Sequence, residues 1–282
     1  MTKFFHSIPD LRGHLRRHPR PLALIPTMGA LHAGHERLIE AARREAATVV
    51  VSVFVNPTQF NQREDFERYP RALDDDVAVC RRLGVDVVFA PPDAEMYPGP
   101  RFTAVEVSRI TDHLCGAFRP GHFSGVATVV AKLFNIVRPD RAYFGEKDAQ
   151  QLAVIRRMVR DLDVPVQIVG VPTVREADGL ALSSRNRLLS PAERRTALAL
   201  PRALREAEAL IRGGMLDPDE VKRAAGRHLE GLAGARLEYL EVVDPVELQP
   251  VGRIEGPVLV AAALWVGGTR LIDNVLALPD PS

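Results

Sequence analysis

The feature that most constrains this fold is a rhythm. Through the first two-thirds of the chain, short apolar runs alternate with stretches of helical periodicity. Residues 22–26, 48–55, 86–90, 141–144 and 166–169 read as strands. Helices beginning near Gly34, covering about 72–83 and 124–137, and running from about Asp148 to Arg160 separate them. The strand runs are apolar at consecutive positions rather than at alternate ones, as expected when both faces of a parallel sheet are covered by helices. A doubly wound α/β sheet follows, and such sheets bind ligands beyond the carboxyl ends of their strands.

Past residue 171 the pattern changes. A long helix rich in Ala, Arg and Leu follows Ser190-Pro191, a second helix lies near 219–232, and strands are expected at 237–243, 258–265 and 269–275. Gly267 and Gly268 supply turn chemistry between the last two strands, so these form an antiparallel hairpin in a smaller α+β domain. The sequence divides into domains of residues 1–173 and 174–282.

Charge narrows the choice of partners. With 37 basic and 36 acidic residues among 282, no net field draws the chain to nucleic acid or to a membrane surface, and small molecules are the expected ligands. The two cysteines, Cys80 and Cys115, are far apart and suggest neither a disulfide framework nor a thiolate metal site. Residues 1–21 carry Arg and His where a signal peptide needs an apolar stretch, and the longest apolar run, 258–266, is too short to span a bilayer. A cytoplasmic protein is expected.

Four polar clusters fall where strands hand over to helices or near the domain boundary. The first, PTMGALHAGH, contains Met28, Gly29, His32, Gly34 and His35 at the exit of the first apolar run. A helix N-terminus there offers unpaired N–H groups and a positive dipole end to a phosphate, glycines let the backbone approach closely, and the histidines add donors. Two surface histidines and a turn glycine would give the same letters. A zinc pair is disfavoured, because the spacing is i, i+3 with no third ligand nearby.

The second cluster, Asn56-Pro-Thr-Gln59, sets amides after a strand end, where they suit the hydroxyl and carboxylate groups of a small substrate; a plain polar turn is the alternative. The third runs from Gly145 and Glu146 through Lys147 and Asp148 to Gln151. Lys147 suits a phosphate, and Asp148 suits either Mg²⁺ or a helix cap. The fourth, Leu182-Ser183-Ser184-Arg185, offers two hydroxyls and a guanidinium on a segment able to close over phosphates.

Taken together, PTMGALHAGH, VNPTQF, ERYPR, GHFSGVATVVAKLFNIVRPDRAYFGEKDAQQL and VPTVREADGLALSSRN resemble the pantothenate synthetase (pantoate:β-alanine ligase) family along the whole chain. The His-x-Gly-His and Ser-Ser-Arg elements are similar to the two signature motifs of the nucleotidyltransferase superfamily. The resemblance implies a Rossmann-like first domain and ATP-dependent joining of pantoate to β-alanine through an acyl adenylate, with Mg²⁺ accompanying ATP and a homodimeric assembly. It implies that residues from Met28 to His35, Gly145 to Asp148, Val174 and Leu182 to Arg185 line the ATP site. His32, His35, Lys147 and Arg185 would act on the phosphates, with His35 a proton donor or charge stabiliser. Gln59 and Gln151 would hold pantoate, with Gln59 also near β-alanine and Asn56 close by. The family more often carries Met at Leu182 and Glu at Ala33. Leu replaces Met at similar volume, and Ala33 need not face a ligand.

Two rivals share the same motifs. Another nucleotidyltransferase would release pyrophosphate without AMP, and a non-catalytic RNA-binding module would show salt-sensitive binding without AMP, against which the near-neutral charge argues.

Overall fold

The computed structural model describes residues 1–61 and 63–279. The chain runs β1 (Lys3–Phe5), α1 (Ile8–Leu15), β2 (Leu22–Thr27), α2 (Ala33–Glu45), β3 (Thr48–Val53), α3 (Arg63–Arg68), α4 (Leu73–Arg82), β4 (Val87–Phe89), α5 (Asp93–Met96) and α6 (Leu114–Phe118). It continues through α7 (His122–Val137), β5 (Arg141–Gly145), α8 (Ala149–Asp161), β6 (Gln167–Val171), α9 (Pro191–Ala197), α10 (Ala199–Arg212), α11 (Pro218–Gly226), β7 (Ala235–Val243), β8 (Val258–Val266) and β9 (Thr269–Ala277). Single 3₁₀ turns precede α3, α8 and α9.

Two compact units emerge. One comprises residues 1–107, 119–146 and 154–172, and the other 108–118, 147–153 and 173–282. The first is built on a six-stranded sheet of order β1-β4-β3-β2-β5-β6 with every pairing parallel. Leu22 to Ile25 and Thr48 to Ser52 are buried without a break, which is why Leu22 to Ile25 of β2 and Val49 to Val51 of β3 are apolar at consecutive rather than alternate positions. Each fully buried Leu, Ile or Val there contributes about 1.5–3 kcal/mol, so the two central strands anchor the unit. Successive strands step outward from β2 to β3 to β4, and the chain then returns to lay β5 on the other side of β2. That reversal makes the carboxyl ends of β2 and β5 the topological switch point.

The second unit carries an antiparallel sheet of order β7-β8-β9. Gly267, at φ +55°, turns β8 into β9 in the left-handed conformation a two-residue hairpin favours. Leu200, Leu204 and Ile211 of α10 and Val221 of α11 share a core with Val260, Ala262 and Leu264 of β8.

The α/β architecture with a smaller antiparallel domain is as the sequence predicts, with two local differences. The helix expected after Ser190-Pro191 is two helices meeting at Leu198. Pro201 accounts for the break: it lacks an N–H, and its ring crowds the carbonyl four residues back, at Ala197, where α9 ends. The second helix stops at Gly226 rather than near 232, with Gly231 at φ +66° shortly beyond. The sequence reading also passed over the short helices α3, α5 and α6, over β1, which pairs in parallel with β4, and over α1, although Ser7 caps α1 by accepting from the Asp10 N–H.

Candidate active site

In the first unit, β2 delivers the chain into the loop Met28 to Leu31 and then into α2. Gly29 adopts φ +79° in a buried position, and a Cβ there would stand 2.8 Å from an Asp76 carboxylate oxygen, so glycine is required on both counts. Asp76, in the first turn of α4, is 2% exposed and accepts from the Ala30 N–H at 3.0 Å and the Leu31 N–H at 2.7 Å. Burial pushes its carboxyl pKa up, and those two backbone N–H groups pull it down. The sequence reading missed Asp76. Its signal was an Asp four residues before the apolar Cys80, on the inward stripe of a helix.

The two histidines cap α2. His32 is the N-cap, its Nδ1 accepting from the Gly34 N–H at 3.1 Å, while His35 Nδ1 accepts from the His32 N–H at 3.2 Å. The rings lie 4.1 Å apart. A nitrogen that accepts a hydrogen bond carries no proton, so both neutral rings carry theirs on Nε2. The cap therefore fixes the tautomer and makes each imidazole an Nε2–H donor at the positive end of a 13-residue helix, an arrangement suited to phosphate oxygens. Ala33, between them, is exposed.

Gln59 and Asn56 sit together after β3. Asn56 is 1% exposed: its Nδ2 donates to Gln59 Oε1 at 3.0 Å and to the Gly125 carbonyl at 3.1 Å, and its Oδ1 accepts from Tyr97 Oη at 2.8 Å and Thr58 Oγ1 at 3.0 Å. With Gln59 Oε1 taken, the Gln59 amide turns its N–H₂ to Met28, donating to Sδ at 3.1 Å. The structure thus brings Met28 and Gln59 together and makes Asn56 the brace that sets which way the Gln59 amide faces. His122 Nδ1 lies 2.7 Å from the Gln59 carbonyl oxygen, and at Gly125 a Cβ would meet the Thr58 carbonyl oxygen at 2.4 Å. Tyr97 and Gly125 were missed because their contacts are tertiary. The carboxyl end of β5 supplies Gly145 and Glu146, both half-buried.

In the second unit, Lys147 Nζ donates to the Leu182 carbonyl at 3.1 Å, and the Leu182 N–H donates to the Val174 carbonyl at 2.9 Å. Burial pushes the Lys147 pKa down; Asp148 and Asp273 oppose that, and Arg185 adds to it. Ser183 follows directly as the N-cap of a 3₁₀ turn, accepting from the Arg185 N–H, and Arg185 is exposed. Lys147, Val174 and Leu182 to Arg185 are thereby gathered in one unit from distant parts of the chain. Asp148 is exposed and Gln151 half-buried, whereas Gln150 is committed to the Ile110 and His113 carbonyls and the Gly116 N–H. Among the described residues no group of three or more His, Cys, Asp or Glu forms a metal cage.

A parallel sheet with a glycine-bearing, donor-rich loop entering a helix at its switch point defines a nucleotide-binding α/β protein. Comparison with known proteins narrows the class. The family model described as pantoate-beta-alanine ligase matches residues 3–276. A pantothenate synthetase of Moorella thermoacetica is 54% identical over 255 residues, covering 90% of each chain. The crystal structure of pantothenate synthetase from Thermus thermophilus superposes with a TM-score of 0.92 at 48% identity, covering 97% of this chain and 98% of that one. A pantoate-beta-alanine ligase from Francisella tularensis, complexed with beta-gamma ATP and beta-alanine, gives a TM-score of 0.81 at 34% identity and 98% coverage of both chains. The chain belongs to the pantoate-beta-alanine ligase family.

Proposed function

We propose that this enzyme performs the family reaction, ATP-dependent condensation of (R)-pantoate with β-alanine to pantothenate, AMP and pyrophosphate, in two steps. In the first, an oxygen of the pantoate carboxylate attacks the α-phosphorus, the bond to the β-phosphate oxygen breaks, and pyrophosphate leaves with that electron pair. In the second, the β-alanine nitrogen attacks the carbonyl carbon of pantoyl adenylate, AMP leaves, and the amine proton passes to solvent. Adenylation is needed because a free carboxylate has a poor leaving group.

The Nε2–H donors of His32 and His35, with Lys147, Ser183, Ser184 and Arg185, stabilise charge on the α-phosphate and departing pyrophosphate. Met28, Gly29, Gly34, Gly145, Glu146, Asp148, Val174 and Leu182 complete the nucleotide's surroundings. Gln59 and Gln151 hold pantoate, Gln59 offering its N–H₂ to a substrate oxygen near β-alanine, with Asn56 behind it. Mg²⁺ bound with the triphosphate would supply charge neutralisation there; of the two carboxylates in the set, Glu146 and Asp148, the exposed Asp148 would hold it, as suits an ion that keeps most of its ligands as water and phosphate. The protein acts in the cytoplasm, where its two buried free thiols, Cys80 and Cys115, stay reduced. No helix among the described residues is long and apolar enough to cross a membrane. The chain assembles as a homodimer, for which the nearly fully exposed Phe102 offers an apolar contact.

The observation that carries this reading is the histidine cap, which spends both Nδ1 atoms on backbone N–H groups and so turns two imidazoles into phosphate donors. The deciding assay measures AMP with ATP, pantoate and β-alanine, omitting each in turn. Repeated turnover to AMP without pantoate or without β-alanine, or repeated pyrophosphate release without AMP when all three are present, would refute it.

A further inference from the structure

We propose that Asp273 and Asn274, adjacent residues of the edge strand β9, are positioning residues that set the nucleotide-contacting segments of the second unit. The inference rests on the ATP roles given above to Lys147 and the segment Leu182 to Arg185.

Asp273 occupies an inward position, between Leu271 and Val275 in the strand's alternation, and its side chain is fully buried. An apolar residue is the ordinary occupant of such a place. Instead its carboxylate receives the Arg175 guanidinium as a fork, Nη1 to Oδ2 at 2.7 Å and Nη2 to Oδ1 at 3.1 Å, and also accepts the Asn274 N–H at 2.8 Å. With the carboxylate buried and Arg175 reaching it from the surface, the pair offsets the cost of burying the charge and adds little beyond that, so stability alone does not account for it. It does fix a place. Arg175 pairs with Ala181 across a short antiparallel bridge and donates to the Gly179 carbonyl, and the turn between them leads straight into Leu182 and Ser183.

Asn274 points the other way and takes hold of the other motif. Its Nδ2 donates to the Lys147 carbonyl at 2.8 Å, anchoring the backbone from which the Lys147 side chain reaches the Leu182 carbonyl at 3.1 Å. The bonds close a ring: β9 to Lys147, Lys147 to Leu182, the Arg175–Ala181 bridge, and Arg175 back to β9. Asp273 and Asn274 are themselves paired to Ala262 and Ala261 of β8, so the ring is referenced to the sheet. When phosphate draws Lys147 Nζ from the Leu182 carbonyl, the Asn274 bond keeps the lysine backbone in place. The fork meanwhile holds the base of the Ser183 to Arg185 segment.

The test uses the full chain carrying Asn274→Asp, which preserves shape but puts an acceptor against the Lys147 carbonyl. Measured quantities are KM for ATP and for pantoate, kcat, the calorimetric Kd of a non-hydrolysable ATP analogue, and Tm. Expected is a rise of about tenfold or more in both ATP constants with pantoate KM unchanged, since one well-placed bond is worth about a decade. Unchanged ATP constants would overturn the inference, as would ATP and pantoate constants rising together as Tm falls, which is what a purely structural pair gives. If Asn274→Asp does not fold, Arg175→Lys decides by the same constants; Arg175 is exposed, and lysine keeps the charge while losing the fork. A wild-type chain that makes no AMP refutes the ligase reading instead, so the two failures are separable.

Discussion

The imidazoles of His32 and His35 are held by their own helix. Because Nδ1 of each is spent on a backbone N–H, the ring cannot turn over without losing the cap, and the donor face is set before any nucleotide arrives. His35→Ala should lower kcat by about 10² to 10³, the scale of one preorganised donor to developing charge, and also loosen the cap. Steady-state kinetics with saturating ATP check this, and near-normal turnover would remove His35 from the phosphate site. Lys147 makes the pH prediction. Burial lowers its pKa, so the ammonium that meets phosphate is lost at a pH below the ordinary lysine range of about 10.4. The profile of kcat/KM for ATP should fall on its alkaline side within that lowered range, and Lys147→Arg should move the fall to higher pH at a reduced maximum. In stability the sign is opposite to that of a salt-bridged lysine. A depressed folded-state pKa costs stability below it, and the cost is relieved as pH rises from the folded value to the unfolded one.

Among elements, α7 and the 3₁₀ turn Pro57–Gln59 show how close packing serves a side chain. The turn's Thr58 carbonyl and Gln59 Cα lie against Gly125 so tightly that no Cβ fits, and the same glycine's carbonyl receives Asn56. Gly125→Ala must push backbone rather than a flexible tip. It should lower Tm by something on the order of 5 °C and raise KM for pantoate through Gln59 while sparing ATP. Thermal melts and substrate titrations check both halves. Elements of this sort divide into legible and illegible ones. Strands β2 and β3 could be read because their burial leaves an unbroken apolar run, and the hairpin because Gly267 and Gly268 carry turn chemistry. The three-residue β1 is too short to show any period, and the break at Leu198 could have been read from Pro201. The amides Asn56 and Gln59 could be named from their place after a strand, but that Asn56 braces Gln59 depends on Tyr97 and Gly125, which nothing in the linear pattern brings to it. Asp76 stood on the inward stripe of α4, where it could have been noticed, but its partners, the Ala30 and Leu31 N–H groups, are tertiary and could not.

At the scale of the whole molecule, the second unit depends on segments drawn from within the first unit's sequence. One of these, 108–118, is tied down at Cys115, whose Sγ lies 3.2 Å from Tyr239 Oη and 3.4 Å from Arg270 Nη2. Arg270 is paired to Glu238, which also accepts from Trp265 Nε1 at 2.8 Å, and both charged side chains are largely buried. Burial pushes the Glu238 carboxyl up, but Arg270 and Trp265 overcome it and hold its pKa below the usual value. The stability it contributes is present above the unfolded carboxylate value and is lost as pH falls through the folded one. Arg270→Ala should cost about 3–5 kcal/mol by stranding the carboxylate, and the double variant Arg270→Met with Glu238→Gln should recover a large part. Denaturant midpoints decide; a double variant no better than the single one would show that the pair is not an isolated charge problem.

Those borrowed segments bear on how the chain is made. On a ribosome, Cys115 emerges 124 residues before Tyr239, and the Lys147 carbonyl 127 residues before Asn274. The parallel sheet of the first unit can close once β6 is out, while two pieces embedded in its sequence still lack the strands they will bind. Synthesis of the lysine that meets phosphate therefore precedes its anchoring by nearly half the message, and a ribosome stalled before β9 would carry a chain whose sheet is complete but whose lysine is not yet aimed.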